Sequence, residues 1–229
     1  MSRTHSLAEK LAVQALDFGF ELVGFAPAAP WRRAADYRSW LDNGYHGRMA
    51  YLARSDAVNK RADLEQVLPS VRTVIALGAN YHFGQDGLDL QAEPSQGVIA
   101  SYARGDDYHE VLTPRLHDLA ALVESYGSQD IHYRAYVDTG PLLERELGVR
   151  AGLGFVGKNT NLIHPRFGSW LLLGILMLTV KVEATGLAAS SSLDPGVLGN
   201  LSDWRQGTCG QCSRCLDACP TNAFVAPYV

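Results

Sequence analysis

Four regularly spaced cysteines are the residues of this chain with the clearest chemical meaning. Cys209, Cys212, Cys215 and Cys219 form the pattern C-x2-C-x2-C-x3-C-P, and the chain has no other cysteine. Bacterial ferredoxins hold [4Fe–4S] clusters with this run, and the fourth cysteine then ligates the other cluster of a pair. The run therefore predicts three thiolates on one iron–sulfur cluster and one thiolate, from Cys219, on a second cluster.

Two other uses of cysteine fit this spacing less well. A structural zinc site, the alternative that stays open, takes two cysteine pairs separated by a longer loop and often includes histidine. The nearest histidine before the run is His164. A disulfide framework would spread its cysteines along the chain, where they close long loops. Since the chain has no second cysteine run, we expect a truncated sequence in which the second cluster is incomplete.

Asp138 is the strongest candidate for acid–base chemistry. It ends a predicted strand, and Pro141 follows where a helix accepts proline in its first turn. A carboxyl group at that junction is well placed as a catalytic acid, although a helix N-cap explains it almost as well. The triplet Asp138-Thr139-Gly140 also resembles that of the aspartic proteases. That chemistry needs two aspartates sharing a proton, and the chain has one such triplet.

The segment GLGFVGKN at 152–159 contains G-x-G-x-x-G and nearly matches a phosphate-binding Walker A loop. Asn159 stands where that loop needs a serine or threonine for magnesium. Both phosphate-binding interpretations also require a strand directly before the glycines, whereas we predict a helix from 142 to 150. The glycines are therefore interpreted as a helix end and a tight turn.

Two further segments have a functional and a structural interpretation each. Asp107-Tyr108-His109 partly matches D-x-H-x-x-G, in which histidine binds cobalt, but Leu112 replaces the glycine. A capped helix start with an exposed histidine explains it equally well. Residues 31–61 carry seven basic and three acidic side chains interleaved with aromatic ones. This mixture suits single-stranded nucleic acid, but a solvated helical face with aromatic side chains in the core is the commoner explanation.

Hydrophobic periodicity predicts the elements that position these residues. Predicted helices cover 6–18, 31–55 in two pieces broken at 43–44, 114–126 and 142–150. Predicted strands cover 22–28, 73–81, 97–103, 132–138 and 168–180, the last as a central strand or strand pair. This order predicts an α+β fold with a mixed sheet and flanking helices. We expect domain boundaries at 1–184, a linker at 185–208 rich in Gly, Ala and Ser, and a cysteine module at 209–229.

The net charge and the length of the apolar runs exclude some classes of protein. The chain has 229 residues, 47% of them hydrophobic, and a formal net charge of −4. This charge excludes a globally basic nucleic-acid coat protein. The longest apolar run, from Trp170 to Val180, is about half as long as a membrane span. We therefore expect a cytoplasmic protein without a membrane segment.

Four segments in this order resemble the epoxyqueuosine reductase family. They are YARGDDYHEVL (102–112), VDTGPLLERELGVRAGLGFVGKNTNLI (137–163), FGSWLLLG (167–174) and CGQCSRCLDACPTNA (209–223). The resemblance implies a cobalamin-dependent iron–sulfur enzyme, related to the reductive dehalogenases, that reduces epoxyqueuosine to queuosine at the wobble position of tRNA. It also implies a cobalamin-binding domain followed by an incomplete ferredoxin-like module. Family members continue with a second cysteine run and a helical-repeat domain.

The resemblance also assigns roles to individual residues. Asp138 matches the catalytic acid of the family, for which we expect apolar surroundings that keep the carboxyl group protonated near neutral pH. Arg145 would bind the substrate through a tRNA phosphate or the epoxide-bearing group. The resemblance further implies that cobalamin is contacted by Arg61, Tyr108, His109, Asp138, Lys158, Asn159 and Thr160.

The expected partners follow from the same resemblance. They are a tRNA with the queuosine precursor at the wobble position and an external electron donor of the flavodoxin or ferredoxin type, and the protein is expected to be a monomer. Two alternatives stay open. One is a ferredoxin-like electron-transfer protein, which would not bind a corrin, and the other is a reductive dehalogenase-like enzyme that acts on a small molecule.

Overall fold

The computed structural model describes residues 6–30, 34–82, 97, 99–126, 130–183 and 208–229. Within these ranges six strands and six α-helices are found, with short 3-10 turns between some of them. The strands are β1 (Leu22–Pro27), β2 (Thr73–Asn80), β3 (Tyr133–Val137), β4 (Phe155–Val156), β5 (Leu162–Ile163) and β6 (Leu171–Leu178). The helices are α1 (Leu7–Asp17), α2 (Ala34–Asp42), α3 (Ser55–Ala62), α4 (Tyr108–Ser125), α5 (Glu144–Arg150) and α6 (Arg214–Asp217).

The main sheet has four strands in the order β1-β2-β6-β3, and every neighbouring pair is antiparallel. The prediction of a mixed sheet was therefore wrong. The strand–helix–strand order of β2, α4 and β3 favours parallel neighbours, but β6 inserts between these two strands and pairs with both. The prediction of a central strand near the end of the domain is confirmed by β6.

Both faces of the sheet are buried, which explains why β6 and all but the two end residues of β2 are apolar. Ile75 and Leu176 point to a core shared with α1 and α4. Val74 and Ile175 point to the opposite core, where α5 and the segment after α3 pack. A half-buried antiparallel strand would alternate polar and apolar side chains, so a run of apolar residues is expected here.

Helix boundaries differ from the prediction where capping decides them. In α1 the Ser6 side chain and Glu9 form a reciprocal capping box. The prediction began this helix at Pro114, but the Asp107 side chain caps α4 and starts it at Tyr108. Likewise α5 begins at Glu144, a few residues after Pro141.

The strand predicted at 97–103 was wrong. Residues 101–103 form a 3-10 turn instead, and the segment makes no described ladder with the sheet. Ile99 and Tyr102 are exposed, so burial did not favour a strand at these two residues. The predicted linker at 185–208 falls almost entirely outside the described residues. In the part of the chain that is described, no helix is both long and apolar enough to cross a membrane.

Candidate active site

Asp138 lies directly after β3, in a tight turn of the backbone. Its φ of 59° is in the left-handed region, which is uncommon for residues other than glycine. The Tyr108 hydroxyl donates a hydrogen bond to Asp138 Oδ2 at 2.9 Å. The Asp138 side chain is exposed, so the apolar surroundings that we expected for this carboxyl group are not found.

A cavity of about 280 Å³ opens beside this turn. Tyr108, Asp138 and Arg145 line it, so three of the residues singled out in the sequence come together there. The apolar wall comes from the start of β6. The other lining residues are Tyr81, Tyr102, Glu144, Asn161, Leu162, Ser169, Leu171, Leu172 and Leu173.

Glu144 is a functional candidate that the sequence analysis missed. It lines the same cavity as Asp138, and its Oε1 atom is buried without a hydrogen-bond partner among the described residues. Burial, reinforced by the nearby Asp138 charge, raises the pKa of Glu144 to about 7. The acidic residue in the first turn of α5 was visible in the sequence, but its burial depends on how α5 packs against the sheet.

The start of α4 holds an aromatic group at the mouth of the cavity. The rings of Tyr108 and His109 stack at 4.0 Å between centroids, and Tyr102 meets Tyr108 edge-on. His109 Nδ1 lies 2.7 Å from Asp107 Oδ1, so this imidazole is tied to the helix cap. Burial, with the neighbouring Asp138 carboxylate, raises the pKa of Tyr108, which keeps its hydroxyl a donor.

Residues 152–159, the glycine turn, form a helix end and a tight turn, as the sequence predicts. Gly152 has a φ of 85°, which suits the residue after a helix. Asn159 accepts a hydrogen bond from the Asn161 main chain, and Thr160 adopts a φ of 64°. Arg145 reaches this turn through a 3.4 Å hydrogen bond to the Thr160 carbonyl. Neither Asn159 nor Thr160 lines the cavity; Asn161 does.

Lys158 contacts the cysteine loop. Its ammonium group donates to the carbonyls of Gly210 at 2.8 Å and Cys212 at 2.9 Å. Its main-chain N–H donates to Cys209 Sγ at 3.3 Å, and its carbonyl accepts from the Tyr228 main chain. The residue expected at the corrin therefore joins the glycine turn to the cysteine segment.

The four cysteines are free, with no disulfide between them. Cys212 is exposed, and the other three cysteines are half-buried. Cys219 Sγ accepts a hydrogen bond from the Ala223 main chain, which lowers the pKa of this thiol. Among the described residues, no three His, Cys, Asp or Glu side chains converge as ligands of a single metal ion would. In a cubane cluster each thiolate binds a different iron.

Arg61 lies at the end of α3, outside the cavity lining. Its guanidinium group sits 5.6 Å from the Tyr37 ring centroid and donates to the Ala57 carbonyl. Its positive charge partly opposes the rise in the pKa of Glu144. In the basic and aromatic segment before it, α2 buries no residue, and Tyr45 and Tyr51 are exposed. These two aromatic residues are therefore not core residues.

Comparison with known proteins shows which enzymes this chain resembles. The family model described as epoxyqueuosine reductase QueG, DUF1730, matches residues 61–139. An epoxyqueuosine reductase from Synechocystis sp. is 38% identical over 210 residues, which cover 90% of this chain and 64% of that protein. The Escherichia coli (strain K12) epoxyqueuosine reductase is 31% identical over 225 residues, 98% of this chain and 54% of that protein. The chain is similar to epoxyqueuosine reductases over nearly its whole length.

Solved epoxyqueuosine reductases share the fold. A selenomethionine-labelled epoxyqueuosine reductase superposes with a TM-score of 0.77 at 27% identity, covering 97% of this chain and 54% of that one. An epoxyqueuosine reductase crystallised with an epoxyqueuosine-modified tRNA-Tyr stem loop gives 0.76 at 27% identity, with the same coverage. The chain spans slightly less than two thirds of the length of the Synechocystis protein and about half the length of the solved epoxyqueuosine reductases.

Proposed function

We propose that this chain carries the reducing centre of an epoxyqueuosine reductase. It removes the epoxide oxygen of epoxyqueuosine in tRNA as water, using two electrons and two protons. The observation that carries the proposal is the Asp138 carboxyl group, which the Tyr108 hydroxyl holds at a cavity beside Arg145. Two relatives support it: one crystallised with an epoxyqueuosine-modified tRNA stem loop, the other, from Bacillus subtilis, with an aspartate-bearing catalytic loop swung out of its active site.

The residues around the cavity fit a cobalamin. A corrin has apolar faces and a rim of amide side chains that donate hydrogen bonds. The leucines of β6 offer an apolar wall, and the unpartnered Glu144 Oε1 offers a buried acceptor. Tyr108, Asp138 and Asn161 would meet the corrin from the cavity, whereas Arg61 and the glycine turn would support it from outside. When bound, cobalamin supplies a nucleophilic, redox-active cobalt to the epoxide.

Asp138 then acts as the proton donor. An opened epoxide leaves an alkoxide, which departs only when it is protonated. The Tyr108 hydroxyl fixes one carboxyl oxygen of Asp138, so the other is free to face the substrate. Arg145 is exposed at the cavity and carries a fork of donors that suits a tRNA phosphate. Asp138 thus supplies the proton, and Arg145 orients the substrate.

We propose that the cysteine segment delivers the electrons. Cys209, Cys212 and Cys215 would hold one [4Fe–4S] cluster, and Cys219 would provide one ligand of another. The Lys158 main-chain N–H bonded to Cys209 Sγ is the kind of contact that raises the reduction potential of a cluster. Electrons would come from a flavodoxin or ferredoxin type of donor to a cytoplasmic monomer. The proposed reductase domain spans 1–184 and the cysteine module 209–229.

The test separates binding from turnover in the Asp138→Asn variant. The chain is incubated anaerobically with cobalamin, a chemical reductant and an epoxyqueuosine stem loop, and the nucleosides are analysed by mass spectrometry. We expect unchanged corrin affinity and turnover lowered roughly 10²- to 10⁴-fold, the usual contribution of a general acid. Asp118→Asn, an exposed aspartate of α4, is the matched control. Wild-type turnover in Asp138→Asn would refute the proton-donor role.

A further inference from the structure

Glu144 and Asp138 form a pair of carboxyl groups at one cavity. Asp138 directly follows β3, Glu144 begins α5, and both line the cavity beside Tyr108. The two carboxyl groups differ in exposure, because Asp138 is open to solvent while Glu144 Oε1 is buried. The Asp138 main-chain N–H interacts with the Glu144 carboxylate. Glu144 is therefore in contact with the turn that carries the proposed proton donor.

The charges around Glu144 show what governs its protonation. Burial has the largest effect, and the Asp138 charge at the end of β3 adds to it; together they raise the pKa of Glu144 to about 7. The Asp138 main-chain N–H, Arg145 on α5 and Arg61 on α3 act in the opposite direction. From α4, Tyr108 faces the pair and bonds to Asp138. Glu144 thus gains and loses its proton in the neutral range, with the protonated form present at lower pH.

We propose that Glu144 is a positioning residue that holds the Asp138 turn through its main-chain N–H and returns a proton to Asp138 across the cavity that both line. The inference rests on the proposed function, in which Asp138 protonates the departing epoxide oxygen. As the basic epoxide oxygen takes the proton of Asp138, the O–H bond of Glu144 breaks and an O–H bond forms on Asp138, so the alkoxide drives both transfers. Solvent later reprotonates Glu144. No electrons move in this exchange.

The first test uses the cofactor-free chain and does not depend on activity. Infrared difference spectra across neutral pH follow the C=O stretch of protonated carboxyl groups. We expect one carboxyl group titrating near pH 7, absent from Glu144→Gln and shifted to lower pH in Asp138→Asn, where one neighbouring negative charge is gone. Glu124→Gln, an exposed glutamate on α4, should match the wild type. A titration that Glu144→Gln leaves intact, or that Asp138→Asn does not shift, would overturn the pairing.

The second test is the pH profile of turnover on the epoxyqueuosine stem loop. Since the proton is needed, wild-type kcat should fall as pH rises through the Glu144 transition. Glu144→Gln should lose that transition and lower kcat roughly 10- to 100-fold, the lower part of the range for acid–base groups, with KM little changed. Glu144→Asp should restore part of the pH dependence. An unchanged profile in Glu144→Gln would overturn the inference and leave the proposed function standing, whereas no turnover in the wild type would count against the proposed function alone.

Discussion

Replacing Lys158 with methionine should loosen the cysteine segment from the glycine turn. The substitution keeps the length of the side chain and removes its two hydrogen bonds to the carbonyls of Gly210 and Cys212. It leaves the main-chain N–H on Cys209 Sγ in place. The substitution therefore isolates what the ammonium group contributes to this contact.

The size of the effect follows from the exposure of these bonds. A hydrogen bond from a charged donor contributes about 1.5–3 kcal/mol when it is shielded from water. Exposed charged contacts contribute about 0.2–1 kcal/mol because solvent screens them. The two Lys158 bonds are exposed and short, so together they should stabilise the closed segment by about 1–2 kcal/mol. That free energy corresponds to a roughly 5- to 30-fold change in the opening equilibrium.

Hydrogen–deuterium exchange measures this equilibrium directly. Amides of the cysteine segment that are bonded in the closed form, such as those of Cys212 and Tyr228, should exchange roughly 5- to 30-fold faster in Lys158→Met. Amides of β6 should be unaffected because they lie in the centre of the sheet. Lys181→Met, at an exposed lysine, provides the matched control, and Lys158→Arg should retain most of the protection.

A cluster reconstituted on the segment gives a second measurement. Removing a positive charge beside a cluster disfavours the added electron, so its reduction potential should fall in Lys158→Met. Unchanged exchange and an unchanged potential would together refute the reasoning. They would mean that the ammonium contacts do not hold the segment.

Two other substitutions test the site and the fold that supports it. Tyr108→Phe removes the donor to Asp138 Oδ2; this partly exposed bond to a charged group should be worth about 1–2 kcal/mol, so kcat should fall roughly 5- to 30-fold with corrin affinity retained. Equal kcat values for the two proteins would show that the hydroxyl does not hold Asp138. Gly24→Ala would place a methyl group against the Ala151 carbonyl and 2.8 Å from the Leu153 side chain, so denaturant titration should show about 1–3 kcal/mol lower stability. Gly97→Ala, where a methyl group meets no described residue within 4 Å, is the control, and equal losses in both would contradict the packing argument.

Local sequence patterns were enough to predict the strands of the main sheet. The strands β1, β2, β3 and β6 were predicted because a run of apolar β-formers needs no knowledge of its neighbours to be found. The pairing order was beyond such patterns, since β6 follows β3 in the chain by more than 30 residues and still inserts beside β2. The strand predicted at 97–103 failed for a related reason, because apolar composition does not show whether a partner strand is available.

The candidate site likewise contains residues that local patterns predict and residues whose role depends on the packing of distant segments. Asp138 could be predicted because a strand end followed by a helix start is a local feature. Glu144 could not, because its burial depends on the packing of α5 against the sheet. The contact of Lys158 with the cysteine loop joins residues more than 50 positions apart in the chain, so spacing alone gave no sign of it. The resemblance placed Lys158 at the corrin, and the structure gives its side chain a different neighbour.

We propose above all that this chain reduces the epoxide of epoxyqueuosine with the aid of cobalamin. The most direct measurement is a single-turnover reaction of the wild-type chain with an epoxyqueuosine stem loop and a chemical reductant, with and without cobalamin, analysed by mass spectrometry of the nucleosides. We expect epoxyqueuosine to lose one oxygen atom only when cobalamin is bound. A chain that retains cobalamin and leaves epoxyqueuosine unchanged would contradict it.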